Sequence, residues 1–382
     1  MGSAMGQQAL QNAPLLKDQT AAAAALCQRA FSLQRSGRLS EATSVYRQLL
    51  ALAPEHFDAL HQLGRLEHAA RNYQDAEALL ARAVKAEPRS AAAHRHYGMA
   101  LDGLGRLEEA AASYTYALAL APHDVIALNS LGIACRRLMR PDEALEHYDK
   151  AIAINGAIPE VHYNRGLAFL DLSRDEDAVA CFSRVLAIDP RHLPALNDRG
   201  NAYLRLRRPD EALASFAGVL AVDPSFADAH NGCGAALMNL RDYDAALAAL
   251  GRALEINPDH ADALSNRATI WLTLRKPAAA LADAERVTAV RPQLVRAWEC
   301  RAEALLDLDR ASDAVASCER AIALSGVTPS PVAVVLLGRC LARLGRVEDA
   351  IASFDVALTI KPDLEFAIAN KIFLLDFVDG AD

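Results

Sequence analysis

A step of 34 residues runs through this chain and limits what it can fold into. Pro54, Pro88, Pro122, Pro190, Pro224, Pro258 and Pro292 keep the step, with Gly156 in proline's place where it doubles. Twelve residues before each of these positions stands an alanine: Ala42, Ala76, Ala110, Ala144, Ala178, Ala212, Ala246 and Ala280. The register continues to Ala314 and, after a two-residue insertion, to Ala350. Twelve residues earlier again a small residue recurs: Ala30, Gly64, Gly98, Gly132, Gly166, Gly200, Gly234, Ala268, Ala302 and Gly338. A period of this length holds two helices of about 14 residues and two turns, each helix roughly 21 Å long. Small residues at fixed places let the paired helices approach closely.

Large residues fill the space between the small ones. Leu60, Leu128, Leu196, Leu264 and Trp298 fall early in the first helix of a pair, and Tyr46, Tyr114, Tyr148, Phe182, Phe216 and Phe354 in the second. Asn155–Gly156 and "INPDH" read as helix stops. Pro141, Pro209 and Pro277 sit where a second helix begins, a position that tolerates a missing N–H. No strand-like alternation occurs, so the expected fold is all-α. The pattern strongly resembles the tetratricopeptide repeat. The resemblance covers ten units, 23–56, 57–90, 91–124, 125–158, 159–192, 193–226, 227–260, 261–294, 295–330 and 331–364. It implies an α-solenoid of stacked antiparallel helix pairs in a right-handed superhelix, first helices lining a concave groove. Residues 1–22 read as a tag-like start, and 365–382 as an apolar capping helix and tail. The stretch "LSGVTPSPVAV" (324–334) carries the insertion and predicts a local hinge.

Composition excludes several classes. The net charge of −8 argues against a nucleic-acid partner, which wants a basic stripe. No apolar run approaches the roughly 18 residues of a membrane span, and the start lacks a signal peptide's pattern. Seven cysteines without a CxxC fit reduced thiols in a cytoplasmic protein.

No catalytic constellation is found. "GCGAAL" (232–237) lacks the third glycine and preceding strand of a dinucleotide fingerprint, and its glycines suit helix packing. "DLSRDED" (171–177) has Glu176 where a calcium loop turns on glycine, so it reads as an inter-helix turn. His94, His162 and His230 share one buried repeat position. His61, His68 and His96 lie on the groove side without the local ligand spacing of a dedicated metal site. Cys135, Cys233 and Cys318 read as inert packing thiols. No enzyme activity, cofactor or metal is expected of this chain.

Helical spacing directs the second, fifth, sixth, ninth and thirteenth residues of each first helix into the groove. Amides recur there: Asn129, Asn164, Asn197, Asn231 and Asn266, with Asp198 and Asn201 beside them. Asparagine inside a helix costs about half a kcal/mol relative to alanine, so the recurrence calls for a reason. A primary amide offers two donors and two acceptors, and a row of them can pair with the backbone of an extended peptide. Arg95, Arg136, Arg137 and Arg205 are the neighbouring charges expected to add specificity. A merely solvated inner wall is the alternative. Tetratricopeptide domains that grip a C-terminal carboxylate place a base four residues before an asparagine. Here Met99 follows Arg95 at that distance, and Asn197 precedes Asn201. What remains is similar to the inner asparagine array of O-linked N-acetylglucosamine transferase, where asparagine sits two residues before the small residue. Asn164 and Asn266 match that place and Asp198 nearly does, while Asn129, Asn197 and Asn231 sit one residue earlier.

The chain ends "FAIANKIFLLDFVDGAD", apolar on two sides of a helical wheel. Ile368, Ile372 and Leu375 are expected to pack on the preceding pair. Phe366, Phe373 and Phe377 would then face the groove, extended by Val332 and Leu336, as an exposed apolar interface. A following catalytic domain, a homodimer partner or a peptide side chain would cover it. "ANKIFLLDF" (369–377) is similar to the segment that leaves the last repeat in bacterial relatives of that transferase. This resemblance, with the tag-like start, implies the non-catalytic, substrate-recognition part of a longer glycosyltransferase. The rival expectation is a freestanding scaffold or adaptor that assembles protein complexes and can self-associate.

Overall fold

The computed structural model describes the backbone of residues 20–379 and the side chains of residues 20–375. Two compact units, Met1–Pro190 and Arg191–Asp382, divide the chain. The first holds α1 (residues 20–35), α2 (Leu39–Leu52), α3 (Phe57–Ala69), α4 (Tyr73–Ala86), α5 (Ala91–Gly103), α6 (Leu107–Leu120), α7 (Val125–Arg137), α8 (Pro141–Ile154), α9 (Pro159–Asp171) and α10 (Asp175–Ile188). The second holds α11 (Leu193–Arg205), α12 (Pro209–Val222), α13 (Ala227–Asn239), α14 (Tyr243–Ile256), α15 (Ala261–Thr273), α16 (Pro277–Val290), α17 (Val295–Asp307), α18 (Ala311–Leu324), α19 (Pro331–Arg343), α20 (Val347–Ile360) and α21 (Glu365–Asp379). Among the described residues there is no strand. Each odd-numbered helix packs against the even-numbered helix that follows it, and each such pair within a unit against the next. Successive odd-numbered helices also touch, α3 with α5 and α7 with α9 in the first unit, α15 with α17 and α17 with α19 in the second. The first helices therefore form the crowded side of each stack.

The turn inside each pair is one motif repeated. Its central residue is left-handed, as in Gly37 (φ 75°), Arg71 (63°), Met139 (60°), Arg207 (56°) and Asp309 (60°). The next N–H reaches back five residues, Asn72 to the Glu67 carbonyl (2.9 Å) and Arg208 to that of Tyr203 (2.9 Å), closing a Schellman cap. Seven of these left-handed residues are not glycine, so local strain is held by the packing of both helices. The stretch 171–177 is one such turn, with Ser173 at φ 56°.

The small residue of the first helix meets the large residue sixteen positions on. A Cβ placed on Gly200 would lie 2.6 Å from the Phe216 ring, and one on Gly166 2.6 Å from that of Phe182. Gly98 with Tyr114, Gly132 with Tyr148, Gly64 with Leu80, Gly234 with Leu250 and Gly338 with Phe354 repeat the arrangement. Where the small residue is Ala268 or Ala302, the sixteenth residue shrinks to Ala284 or Cys318, all buried. Gly232 and Gly234, the glycines of "GCGAAL", serve this packing inside α13.

Position four alternates. Leu60, Leu128, Leu196 and Leu264 are buried there, and in the intervening pairs a ring takes their place. His94, His162 and His230 reach the carbonyls of Pro88, Gly156 and Pro224 at 2.9–3.0 Å, and Trp298 Nε1–H donates to that of Pro292 at 2.9 Å. Their ring nitrogens thus satisfy the preceding turn. His230 is only half-buried, less enclosed than its repeat position predicts.

Two expectations are corrected at the C-terminal end. Ile368, Ile372 and Leu375 do not form the packing stripe of α21; all three are exposed, and Ala367 and Leu374 are buried instead. Ile372 stands where Gly338 stands in α19, the place that meets the second helix of the same pair, and no such helix follows α21 among the described residues. Leu336, expected in the exposed apolar area, is 4% exposed and belongs to the core with Leu306 and Cys340. The insertion forms a linker, residues 325–330, with Val327 fully exposed, and α19 still packs on α18.

Candidate functional site

The groove amides meet one another. Asn164 Nδ2 donates to Asn129 Oδ1 (3.0 Å) in the first unit, and Asn266 Nδ2 to Asn231 Oδ1 (2.9 Å) in the second. In both cases the fifth residue of one first helix reaches the sixth of the next, 35 positions on. The one-residue stagger that departs from the transferase pattern is thus what brings the side chains together. Each pair keeps one carbonyl and one NH2 free of this bond, the complement of a peptide group. Asn197 is the exception. Its counterpart 35 positions on is Gly232, kept bare by the Phe216 ring, so Asn197 Oδ1 is buried without a hydrogen-bond partner among the described residues. Its Nδ2 donates to Asp198 (3.3 Å), and Asn201 is exposed one turn on.

The same stagger brings two histidines together. His61 Nε2 and His96 Nδ1 lie 2.8 Å apart, sharing one proton in a hydrogen bond. Burial and the guanidinium of Arg65 lower His61 to about 4; burial, His61 and Arg95 lower His96 to about 3. His68 lies tilted against Tyr73 instead, ring centroids 5.4 Å apart, and does not join them.

The groove arginines of the first unit are not free charges. Arg95 pairs with Asp124 (3.1 Å), which also caps α7, and Arg136 with Asp171 (3.4 Å). Arg137 pairs with Asp102. Their first task is to join neighbouring helix pairs. Arg205, in the second unit, is exposed.

The second unit holds a cleft of about 480 Å³ among α15, α17 and α19. Thr269, Thr273, Arg296, Glu299, Cys300, Glu303, Asp307 and Val332 line it, and all occupy the groove positions the spacing predicts. Nearer the end, Phe366 is 56% and Phe373 72% exposed, with Val332 also exposed. Arg339 lies over the Phe366 ring at 5.3 Å, and both phenylalanines line a second cavity of about 340 Å³ with Arg343 and Asn370. The side chain of Phe377 lies outside the described residues.

One donor set has metal-ligand proximity. Cys27, His56 and Asp58 bring ligand atoms within 4.8 Å of one another. His56 Nδ1, however, accepts the Ala59 N–H as the cap of α3, the role His192 and His260 play at α11 and α15. A neutral ring so engaged carries its proton on Nε2, which then donates and does not ligate. The thiols of Cys135 and Cys233 are raised by burial, the opposite of a reactive cysteine, and Cys318 is fully buried. No helix among the described residues is long and apolar enough to cross a membrane.

Comparison with known proteins gives the lineage. A family model described as tetratricopeptide repeat matches residues 27–79, 61–125, 98–157, 197–261, 234–291, 272–329 and 301–365, and a second of the same description matches 159–192. Comparison with curated protein sequences yields no match. A tetratricopeptide repeat protein from Parabacteroides merdae is similar in structure, at 22% identity over 66% of this chain and 99% of its own, with a TM-score of 0.56. YrrB, described as a TPR protein with an unusual peptide-binding site, aligns at 25% identity over 48% of this chain and 95% of its own, TM-score 0.44. The repeating helix pairs, the glycine-to-ring packing and the family-model matches agree: the chain belongs to the tetratricopeptide repeat family, an α-solenoid scaffold for protein–protein interaction.

Proposed function

We propose that the crowded face of each unit binds polypeptide in extended conformation, its backbone read by the groove amides. The observation that carries this reading is the staggered amide pair, Asn129 with Asn164 and Asn231 with Asn266, each of which keeps one carbonyl and one NH2 outside the bond between them as a donor and acceptor for a peptide group. Asn197 supports it by placing a further amide at the same fifth position of α11. Replacing Asn197, Asn231 and Asn266 with alanine is expected to weaken capture of a labelled random 15-residue peptide pool about tenfold or more. Stability should hold, since alanine is the better helix former. Equal capture by variant and parent, measured by fluorescence anisotropy, would remove the amides from the site.

A finer reading makes this the substrate-recognition region of a protein resembling O-linked N-acetylglucosamine transferase. Asn164 and Asn266 two residues before the small residue, and the segment 369–377, support it. So does α21, whose Ile368 and Ile372 are exposed as if awaiting a further element. Immunoblotting of the native polypeptide decides: a band well above 41.0 kDa favours the transferase reading, and one at that mass the freestanding scaffold. In the scaffold case Phe373→Glu is expected to turn a dimer into a monomer by light scattering. An unchanged mass would clear Phe373 of that contact.

A further inference from the structure

We propose that the cleft among α15, α17 and α19 is a subsite for one cationic side chain, lysine or arginine, of the bound polypeptide. The inference rests on the peptide-binding reading and names what that peptide must carry. Glu299, Glu303 and Asp307 stand four residues apart along α17, which places all three carboxylates on one face, turned into the cleft. The outer two are engaged: Asp307 with Arg275 at 3.7 Å, and Glu299 with the Ser330 hydroxyl, which donates to it. Arg296, the other base of the lining, donates to the Thr269 hydroxyl at 3.4 Å. Glu303 lies between them, half-buried, and no hydrogen bond or ion pair holds it among the described residues.

An ionised carboxylate in that position is costly without a partner, and burial raises its pKa. Leu272, Cys300 and Val332 provide an apolar wall along which the methylene stem of a long basic side chain can lie. In the first unit the carboxylates Asp102, Asp124 and Asp171 are already matched by Arg137, Arg95 and Arg136. At Glu303 no ion pair of this kind forms among the described residues, and Arg339 and Arg275 act on it only from a distance.

The test uses the full chain and the randomised peptide pool, with the captured peptides sequenced. Lysine or arginine should be enriched at one position, and the enrichment should vanish in Glu303→Gln. A single captured peptide with its basic residue changed to glutamine should bind the parent about tenfold more weakly. It should bind Glu303→Gln no worse than the unchanged peptide does. Enrichment of aspartate or glutamate, or basic enrichment that survives in Glu303→Gln, overturns the subsite. Alanine at Asn231 and Asn266 should instead lower capture of all sequences alike. Failure of the parent to capture any peptide overturns the groove reading itself.

A second measurement needs no ligand. The facing charges are Arg339 and Arg275, which favour loss of the proton, and Asp307 and Glu299, which hold it on, with Arg296 also in the lining. Burial outweighs the arginines. A carboxyl raised in the folded state destabilises it once the pH exceeds the value for the unfolded chain. Glu303→Gln should therefore melt higher than the parent at pH 8 and level with it at pH 4. A variant that melts lower at pH 8 would show that the carboxylate already has a stabilising partner.

Discussion

Replacing Phe216 with alanine will lower the unfolding free energy of the second unit by about 4 kcal/mol. The ring is fully buried and fills the space left by two glycines, Gly200 in the helix of its own pair and Gly232 in the next. Neither glycine has a side chain with which to collapse into the cavity, so relaxation is limited and the cost falls at the high end for a large-to-small change. Because a solenoid is stabilised by nearest-neighbour interfaces, the loss should concentrate in α11–α13. Hydrogen exchange should show their amides losing protection first. Gly200→Ala alone also destabilises, since its Cβ would meet the ring at 2.6 Å. The two changes should combine to less than their sum, as the small pair Ala302 and Cys318 already shows that this site tolerates alanine opposite a reduced partner. A cost below about 1 kcal/mol for Phe216→Ala would mean that the ring does not pack as described.

The second large effect is on acid stability. Lowering the pH from 7.5 to 5 should reduce the stability of the first unit by on the order of 2 kcal/mol through His61 and His96, allowing for partial exposure of the pair. Both imidazoles are held below their ordinary value, to about 4 and about 3. The unfolded chain therefore takes up protons near pH 6.5 that the folded chain refuses. Stability is whole above that value, declines as the pH falls through it, and goes on declining until the folded pair itself titrates. Arg65 and Arg95 nearby strengthen the refusal, and Asp58 weakens it. The stagger that joins Asn129 to Asn164 joins these two rings, so His61→Asn with His96→Asn keeps a hydrogen bond and removes the titration. In that variant the urea midpoint should fall much less between pH 7.5 and 5, the remaining slope coming from groups such as the half-buried His147, whose pKa is also lowered. A slope equal to the parent's would place the acid sensitivity elsewhere.

The amino-acid order was enough to specify the helix pairs. A 34-residue period with glycine or alanine at one place and a ring or leucine sixteen positions on is a local instruction. It needs only helical geometry and van der Waals size to be read, and Gly166 against Phe182 obeys it as Gly338 against Phe354 does. The same spacing identified the groove positions that line the cleft at Glu303. The Schellman turns were harder to see, because Arg71, Arg207 and Arg275 occupy the left-handed place where glycine would have announced it.

Three matters were decided only by tertiary structure. Asn129 finding Asn164, and His61 finding His96, depends on how far one helix pair is translated and rotated against the next, which no single-helix wheel contains. Arg95, Arg136 and Arg137 were legible as groove charges, but their engagement by Asp124, Asp171 and Asp102 comes from neighbouring pairs. In α21 apolar residues occupy more than one face, so hydrophobicity could not choose among them. Contact with the preceding pair chose Ala367 and Leu374 and left Ile368, Ile372 and Leu375 in solvent. Sequence periodicity fixes which face of a helix can be buried; only the neighbour that arrives decides which face is.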